Sequence, residues 1–388
     1  MAAVVVLATG TLAPTAATAA APKPVTDPAS LVNPLIGTSG AVNTFPGADM
    51  PVGMIQWSPD TSPHRTQGGG YEYNDSQTRG FSLTHISGPG CDAYGDLPIL
   101  PTIGAIGDNP GAATASFSHI SETAQAGYYA VSLGSGVRTE LTAATRSAIG
   151  KFTFPRTSQA NLLLKARDSA STVDGAQIQA VSDHEVTGSV TSGHFCGQSP
   201  SLETDYTLHF DVVFDHPFKT AATWDQSATA ASTGSAPIAA GAATKPFHSG
   251  AATARTSVPA TPAPRAHNAP AAPKAAAAGP GGLALSWDAT KTPTISARVG
   301  ISFTSDKNAS ANLASEIPKF NFDAVRKANH AAWNKYLSRI QISGGTVAQQ
   351  EQFYTALYHV LLHPNVFSDV NGEYLGFDSK VHKVAAGH

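Results

Sequence analysis

Residues 206–215 read YTLHFDVVFD. Tyr206, Leu208, Phe210, Val212 and Phe214 alternate with Thr207, His209, Asp211 and Val213. Successive side chains on a strand point to opposite faces, so a period of two predicts a half-buried antiparallel strand. The same kind of short apolar segment, bounded by turn residues, recurs upstream. Residues 127–134 (GYYAVSLG), 138–146 (RTELTAATR), 151–155 (KFTFP), 160–167 (ANLLLKAR) and 176–183 (AQIQAVSD) carry it. Downstream it returns in 282–288 (GLALSWD) and 294–304 (TISARVGISFT). Regular strands between turn signals predict a large antiparallel β-sandwich over residues 28–304, and 35 Gly and 27 Pro supply the turns.

Two stretches break the pattern. Residues 226–281 are rich in Ala, Pro, Ser and Gly with almost no large apolar side chain. Such a stretch cannot bury enough surface to offset its conformational entropy, so it reads as a flexible insertion within the sandwich. After residue 304 the period becomes helical. Asn321 or Asp323 can cap a helix presenting Val325, Ala328, Ala332, Trp333, Tyr336, Leu337 and Ile340 on one face. Thr346 with Gln349 forms a capping-box pattern before a second helix carrying Phe353, Leu357, Tyr358 and Leu361, with Pro364 as its stop. Two helices cannot close a core alone. The reading is a linker helix over 316–345 and the opening of a helical domain over 346–388, truncated there.

Composition narrows the function classes. Only 13% of the 388 residues are charged and the net charge is −3, with Lys and Arg dispersed, so nucleic acid is not an expected partner. No apolar run in the mature chain is long enough to span a membrane. Val4–Leu7 and the following Ala17-Thr18-Ala19 resemble the apolar core and cleavage site of a bacterial-type signal peptide, so residues 1–21 are read as a leader and the protein as secreted. In an oxidising compartment Cys91 and Cys196, the only cysteines, can pair or remain as two thiols at a site. Neither lies in a Cys-x-x-Cys pair, which argues against a zinc site.

Chemistry-bearing residues concentrate in a few segments: 32–38 (VNPLIGT), 43–61 (NTFPGADMPVGMIQWSPDT), 68–75 (GGGYEYND), 80–101 (GFSLTHISGPGCDAYGDLPILP), 193–197 (GHFCG) and 363–382 (HPNVFSDVNGEYLGFDSKVH). A sugar site needs an aromatic platform for the apolar face of a pyranose and polar groups for its hydroxyls. Trp57, Tyr71, Tyr73, Asp92, Asp96 and His194 are of those types. Each also has a plain structural reading. A lone Trp is more often core, Asp96 between Gly95 and Leu97 can cap a turn, and His85 can be a bonded sheet residue.

In order and spacing these motifs resemble glycoside hydrolase family 92, the calcium-dependent exo-α-mannosidases, across residues 30–225 and 282–382. The resemblance implies a β-sandwich, linker helices and an (α/α)6 barrel, with the active site between sandwich and barrel. It implies removal of terminal mannose from α-mannosides such as N-glycans or mannan, with inversion, and a calcium ion holding two mannose hydroxyls. Inversion needs two carboxyls about 6.5–9.5 Å apart. The family carries its acid, base and most calcium contacts on the barrel, so these are expected beyond residue 388 and the chain alone is expected to be inactive. Carried over to this sequence, the sandwich-side contacts are Trp57, Gly69, Gly70, Tyr71, Cys91, Asp92, His194, Phe195 and Cys196, with Asp378 from the late segment. The competing readings are a non-catalytic carbohydrate-binding or scaffold module and a disaccharide phosphorylase, the latter separable by phosphate dependence. Oligomeric state is not legible in the sequence.

Overall fold

A computed structural model describes residues 23–40, 43–65, 68–197, 205–225 and 279–385. The leader reading for residues 1–21 lies outside them. Two eight-stranded antiparallel sheets face each other. The first runs Ala48–Asp49, Gln56–Ser62, Gln77–Ser82, Ile99–Ile103, Ala160–Leu164, Pro280–Trp287 and Thr220–Asp225, with Ala115–Ser116 joined to Gln77–Ser82. The second runs Val173–Ala180, Glu185–Ser192, Tyr206–Phe214, Thr294–Ser302, Ser147–Thr153, Arg138–Ala143, Tyr128–Ser132 and Thr123–Gln125.

The alternation in YTLHFDVVFD is realised. Tyr206, Leu208, Phe210, Val212 and Phe214 are all buried between the sheets with Phe81, Phe152, Leu162 and Trp287. Burying each such side chain is worth about 1.5–3 kcal/mol, and this layer holds the sandwich together. Asp211, on the opposite face, is buried as well, because the helix Asp306–Glu316 covers that side of the strand.

Strands with weak apolar patterns are the ones missed from sequence. Gln56–Ser62 contains Pro59 and five polar residues besides Trp57, yet six of its seven residues are buried. Glu185–Ser192 buries Val186, Gly188, Val190 and Ser192, only two of them large. A Cβ on Gly188 would sit 2.5 Å from the Phe210 ring and 2.1 Å from the Gln177 carbonyl oxygen, so close strand packing requires glycine there. The insertion leaves one strand and returns in its neighbour: Thr220–Asp225 pairs directly with Pro280–Trp287. Its expected end at residue 281 is corrected, since Pro280 and Gly281 already belong to the returning strand. Residues 226–278 of it lie outside the described residues.

Three helices follow: α1 Asp306–Glu316, α2 Phe322–Leu337 and α3 Val347–Val360. Helix α1 was not expected. Its buried face is Asn308, Ala309, Asn312 and Leu313, half polar and therefore silent in a hydrophobic pattern. The two amides bind the buried carboxylate of Asp369 at 2.9 and 2.7 Å, and Ser302 Oγ and Thr304 Oγ1 donate to it at 2.8 and 2.5 Å. The segment read as one linker helix over 316–345 therefore holds the last residue of α1, a turn, α2 and the loop after it.

Asn321 caps α2 by accepting from Ala324 N at 3.1 Å, and the Thr346–Gln349 capping box forms with both bonds present. Helix α3 stops at Val360, four positions before Pro364, and its buried face is Tyr354, Thr355 and Tyr358, with Phe353, Leu357 and Leu361 only partly buried. Ile340 lies past the end of α2 and is 48% exposed, so it does not extend that helix's buried face. The helices do find a core: Trp333, Leu337, Tyr354, Tyr358 and Leu362 pack with Ala29, Val32, Phe45 and Ala126.

One residue, Asp49, joins helices to sandwich through both its backbone carbonyl and its carboxyl. The Asp49 carbonyl accepts from Asn329 Nδ2 at 2.7 Å and Trp333 Nε1 at 3.2 Å, while Tyr358 OH donates to Asp49 Oδ1 at 3.3 Å. Burial drives the Asp49 pKa well above its ordinary value, and the Tyr358 hydroxyl offsets this only in part. A carboxyl with a raised folded-state pKa contributes stability that is present below its unfolded value and is lost as pH rises through the folded value. Asp49→Asn keeps the Tyr358 acceptor without a charge. It is expected to raise the melting temperature at pH 8 and to flatten the loss of stability above pH ~4, as read by thermal unfolding across pH.

Candidate functional site

Loops from four parts of the chain meet at one end of the sandwich. Asn43 organises the first contact: its Oδ1 accepts from Gly69 N at 2.9 Å and its Nδ2 donates to the Pro89 carbonyl. Ile86 N donates to Gly68 O at 3.0 Å, and Gly88 N donates to Asn43 O at 2.8 Å. Further along, Cys196 N donates to Asp92 O at 3.1 Å, and Cys91 and Cys196 form a disulfide across 105 residues. The disulfide settles the choice that the sequence left open between paired and free thiols.

Below this rim lies a buried ionic layer. Arg65 donates from Nε to Asp60 Oδ1 at 3.1 Å, from one terminal nitrogen to Asp168 Oδ1 at 3.3 Å, and from the other to Gly95 O at 2.8 Å. His85 Nδ1 faces the Gln56 carbonyl at 3.0 Å and therefore donates to it; Nε2 lies 3.3 Å from Asp60 Oδ1 and 3.2 Å from Ser82 Oγ. Gly70, at φ +72°, presses against this pair: a Cβ there would stand 2.4 Å from Asp60 Oδ1 and 2.8 Å from His85 Nε2. Burial opposes charge on Asp60, but Arg65, with His85 and Ser82, outweighs it and holds the carboxyl below its ordinary pKa.

The structure sorts the residues chosen from sequence. Gly69, Cys91, Asp92 and Cys196 are joined in the loop cluster, His194 and Phe195 adjoin it on the same loop as Cys196, and Gly70 lies beneath it against Asp60 and His85. Asp92 and Cys196 are exposed, His194 is partly so, and Phe195 packs against Tyr94 and Tyr206. Trp57 is a correction. It is fully buried between the sheets, edge-on to Phe152, with its indole N–H given to the Phe81 carbonyl at 3.0 Å, so no face is free for a sugar. Tyr71 is also buried, with its hydroxyl on Glu122 at 2.9 Å beside Tyr129, which shares the same carboxylate at 2.6 Å. Asp378 sits in the exposed hairpin formed by Glu373–Leu375 and Val381–Lys383, bonded to His382 at 2.8 Å. No contact joins it to the loop cluster among the described residues.

Asn43, Arg65 and Asp168 were missed. Asn43 stood inside a quoted motif, but an organising amide carries no spacing signal. Asp96 proves structural: it is fully buried and accepts from Thr84, Ser169 and Tyr206 at 2.8, 2.9 and 2.5 Å.

A general acid needs a raised pKa and access to substrate. Among the described residues the carboxyls raised by burial are Asp49, Asp96 and Asp211, and all three are buried away from solvent. Asp378 is exposed and lowered, chiefly by the His382 hydrogen bond. Calcium calls for six to eight oxygen ligands. The one group of three or more metal-type side chains among the described residues is Asp174, His194 and Asp205, which includes a nitrogen donor and does not fit a calcium cage.

Residues 31–302 match the profile of the glycosyl hydrolase family 92 N-terminal domain, and residues 308–388 match that of the family 92 catalytic domain. An uncharacterised secreted glycosidase of Arthroderma benhamiae is 27% identical over 357 residues, covering 88% of this chain and 42% of that protein. The family 92 α-mannosidase BT3965 of Bacteroides thetaiotaomicron superposes with a TM-score of 0.73 at 25% identity, covering 92% of this chain and 44% of that one. The family 92 glycosyl hydrolase ccman5 gives 0.70 at 26% identity, with 93% and 44% coverage. The chain thus spans less than half the length of these relatives.

The placement of Trp57 has a direct test. Trp57→Ala is expected to destabilise the chain by about 3–5 kcal/mol, measured by denaturant unfolding, because it opens a cavity between the sheets. A loss of mannoside binding without a loss of stability would put the indole back in the site.

Proposed function

The chain belongs to glycoside hydrolase family 92, and from that premise we propose that it forms the sandwich-side wall of the mannose subsite in a secreted exo-α-mannosidase. The reaction is hydrolysis, with inversion, of terminal mannose from α-mannosides such as N-glycans or mannan. Calcium is the expected metal of the complete enzyme, with most of its contacts expected on the barrel. The observation that carries the reading is the loop cluster. The disulfide, the Asn43 side chain and backbone bonds bring Gly69, Cys91 and Asp92 to one rim, with Gly70 beneath it and His194 beside it, and the carboxylate of Asp92 is left exposed for hydroxyl groups. The secreted Arthroderma relative and the Ala-rich leader support export.

Among the described residues the carboxyls with a raised pKa, Asp49, Asp96 and Asp211, are all buried, and we read the role of this part of the chain as binding. The same observation favours the second reading, a carbohydrate-binding module. Both are tested with an aryl α-mannoside and with methyl α-mannoside. The 388-residue chain is expected to release no aryl alcohol, and Asp92→Asn is expected to weaken methyl α-mannoside binding about tenfold, the effect of one lost charge-assisted hydrogen bond. Equal binding by both proteins would remove the rim from the subsite. Turnover by the chain would place an acid and a base within it.

A further inference from the structure

We propose that Asp174, His194 and Asp205 form a binding site for one divalent first-row metal ion of the zinc type, separate from the calcium expected of the complete enzyme. The three side chains come from neighbouring strands of the second sheet. Asp174 is the residue skipped in the register between Val173–Ala180 and Glu185–Ser192, His194 follows the latter strand, and Asp205 immediately precedes Tyr206–Phe214. Their ligand atoms all lie within 4.8 Å of one another. His194 Nε2 is 2.8 Å from Asp174 Oδ2, and Nδ1 is 3.7 Å from Asp205 Oδ1. Bonds of about 2.0–2.1 Å to a tetrahedral ion put ligand atoms about 3.4 Å apart. One imidazole gives one ion a single nitrogen, so Nε2 and Asp174 form one side of the site and the exposed Asp205 carboxylate, which faces Nδ1, turns toward Nε2 to complete the set.

Charge separates this group from the other histidines. His64, His184, His209, His216, His330 and His382 each pair with a single aspartate. His194 alone, among the described residues, stands against two carboxylates, and neither of these has a lysine or arginine partner there. One imidazole, even when protonated, leaves a negative charge over; a divalent cation removes it. A nitrogen donor beside two carboxylates suits zinc and its neighbours rather than calcium or magnesium. Three protein ligands leave a fourth position for water or for an oxygen of a bound molecule. The disulfide two residues from His194 anchors one ligand loop. Reading zinc chemistry from the cysteines alone passes over this set, because its ligands are a histidine and two isolated aspartates.

The test is calorimetric titration of the full chain, freed of metal by chelation, with zinc chloride and then with calcium chloride at pH 7. One zinc ion per chain is expected, with calcium binding at least a hundredfold weaker. His194→Gln and Asp174→Asn are each expected to weaken zinc binding tenfold or more, and Asp183→Asn, which alters a single His–Asp pair, to leave it unchanged. Cobalt(II) added to the unaltered chain gives a readout that needs no variant: intense visible bands of a four-coordinate site. Absence of saturable zinc binding, zinc binding unchanged in both variants, or a cobalt spectrum like that of the aqueous ion would overturn the proposal.

Discussion

Arg65 is the constraint on which the functional end of this sandwich depends. Its guanidinium reaches three segments distant in sequence: Asp60 at the end of a core strand, the Gly95 carbonyl in the loop rich in Gly and Pro, and Asp168 after the strand Ala160–Leu164. Arg79 makes a second ion pair to Asp168 at 2.9 Å, and Lys165 Nζ donates to the Arg79 and Ala113 carbonyls. Burial lowers the Lys165 pKa to about 8 against the opposing pull of Asp168. Removing one member of such a buried set leaves its partners uncompensated, which costs about 3–5 kcal/mol. The planar fork of arginine can hold three acceptors in fixed directions, which the single ammonium of lysine cannot.

Structural roles and the proposed binding roles separate by depth. Residues whose chemistry looks most catalytic in the sequence lie deepest. His85 is spent on Gln56 and Asp60, Asp96 on three hydroxyls, Tyr71 on Glu122, and Asp369 on two asparagines and two hydroxyls. These bonds fix loop shape. The groups left at the surface, Asp92 and the partly exposed His194, sit on loops whose geometry the deeper layer and the disulfide determine. The relatives it matches are more than twice as long, which fits the proposal that the sandwich supplies one wall of a larger site.

Much of the fold was legible because it depends on large apolar side chains in simple periods. YTLHFDVVFD announces its strand, and Thr346 with Gln349 announces the start of α3. The illegible parts are those where polar groups are buried. Helix α1 buries Asn308 and Asn312 because Asp369, some sixty residues later, awaits them. Gln56–Ser62 is buried although mostly polar because Trp57 points into the core and its neighbours find partners. Residue type and resemblance put Trp57 in the site, since an indole near Pro59 and Asp60 looks available until its N–H is seen given to the Phe81 carbonyl. The motif order showed which loops belong together; it did not show Asn43 and Arg65, whose role is geometric.

The central claim is that one buried guanidinium holds the loops of the binding rim in register. Hydrogen–deuterium exchange on the unaltered chain and on Arg65→Met tests it directly. Faster exchange in residues 68–70, 83–97 and 165–170 together, with the strands Tyr206–Phe214 and Thr294–Ser302 unaffected, is the expected outcome. Exchange that quickens only beside residue 65, or equally throughout both sheets, would contradict the account.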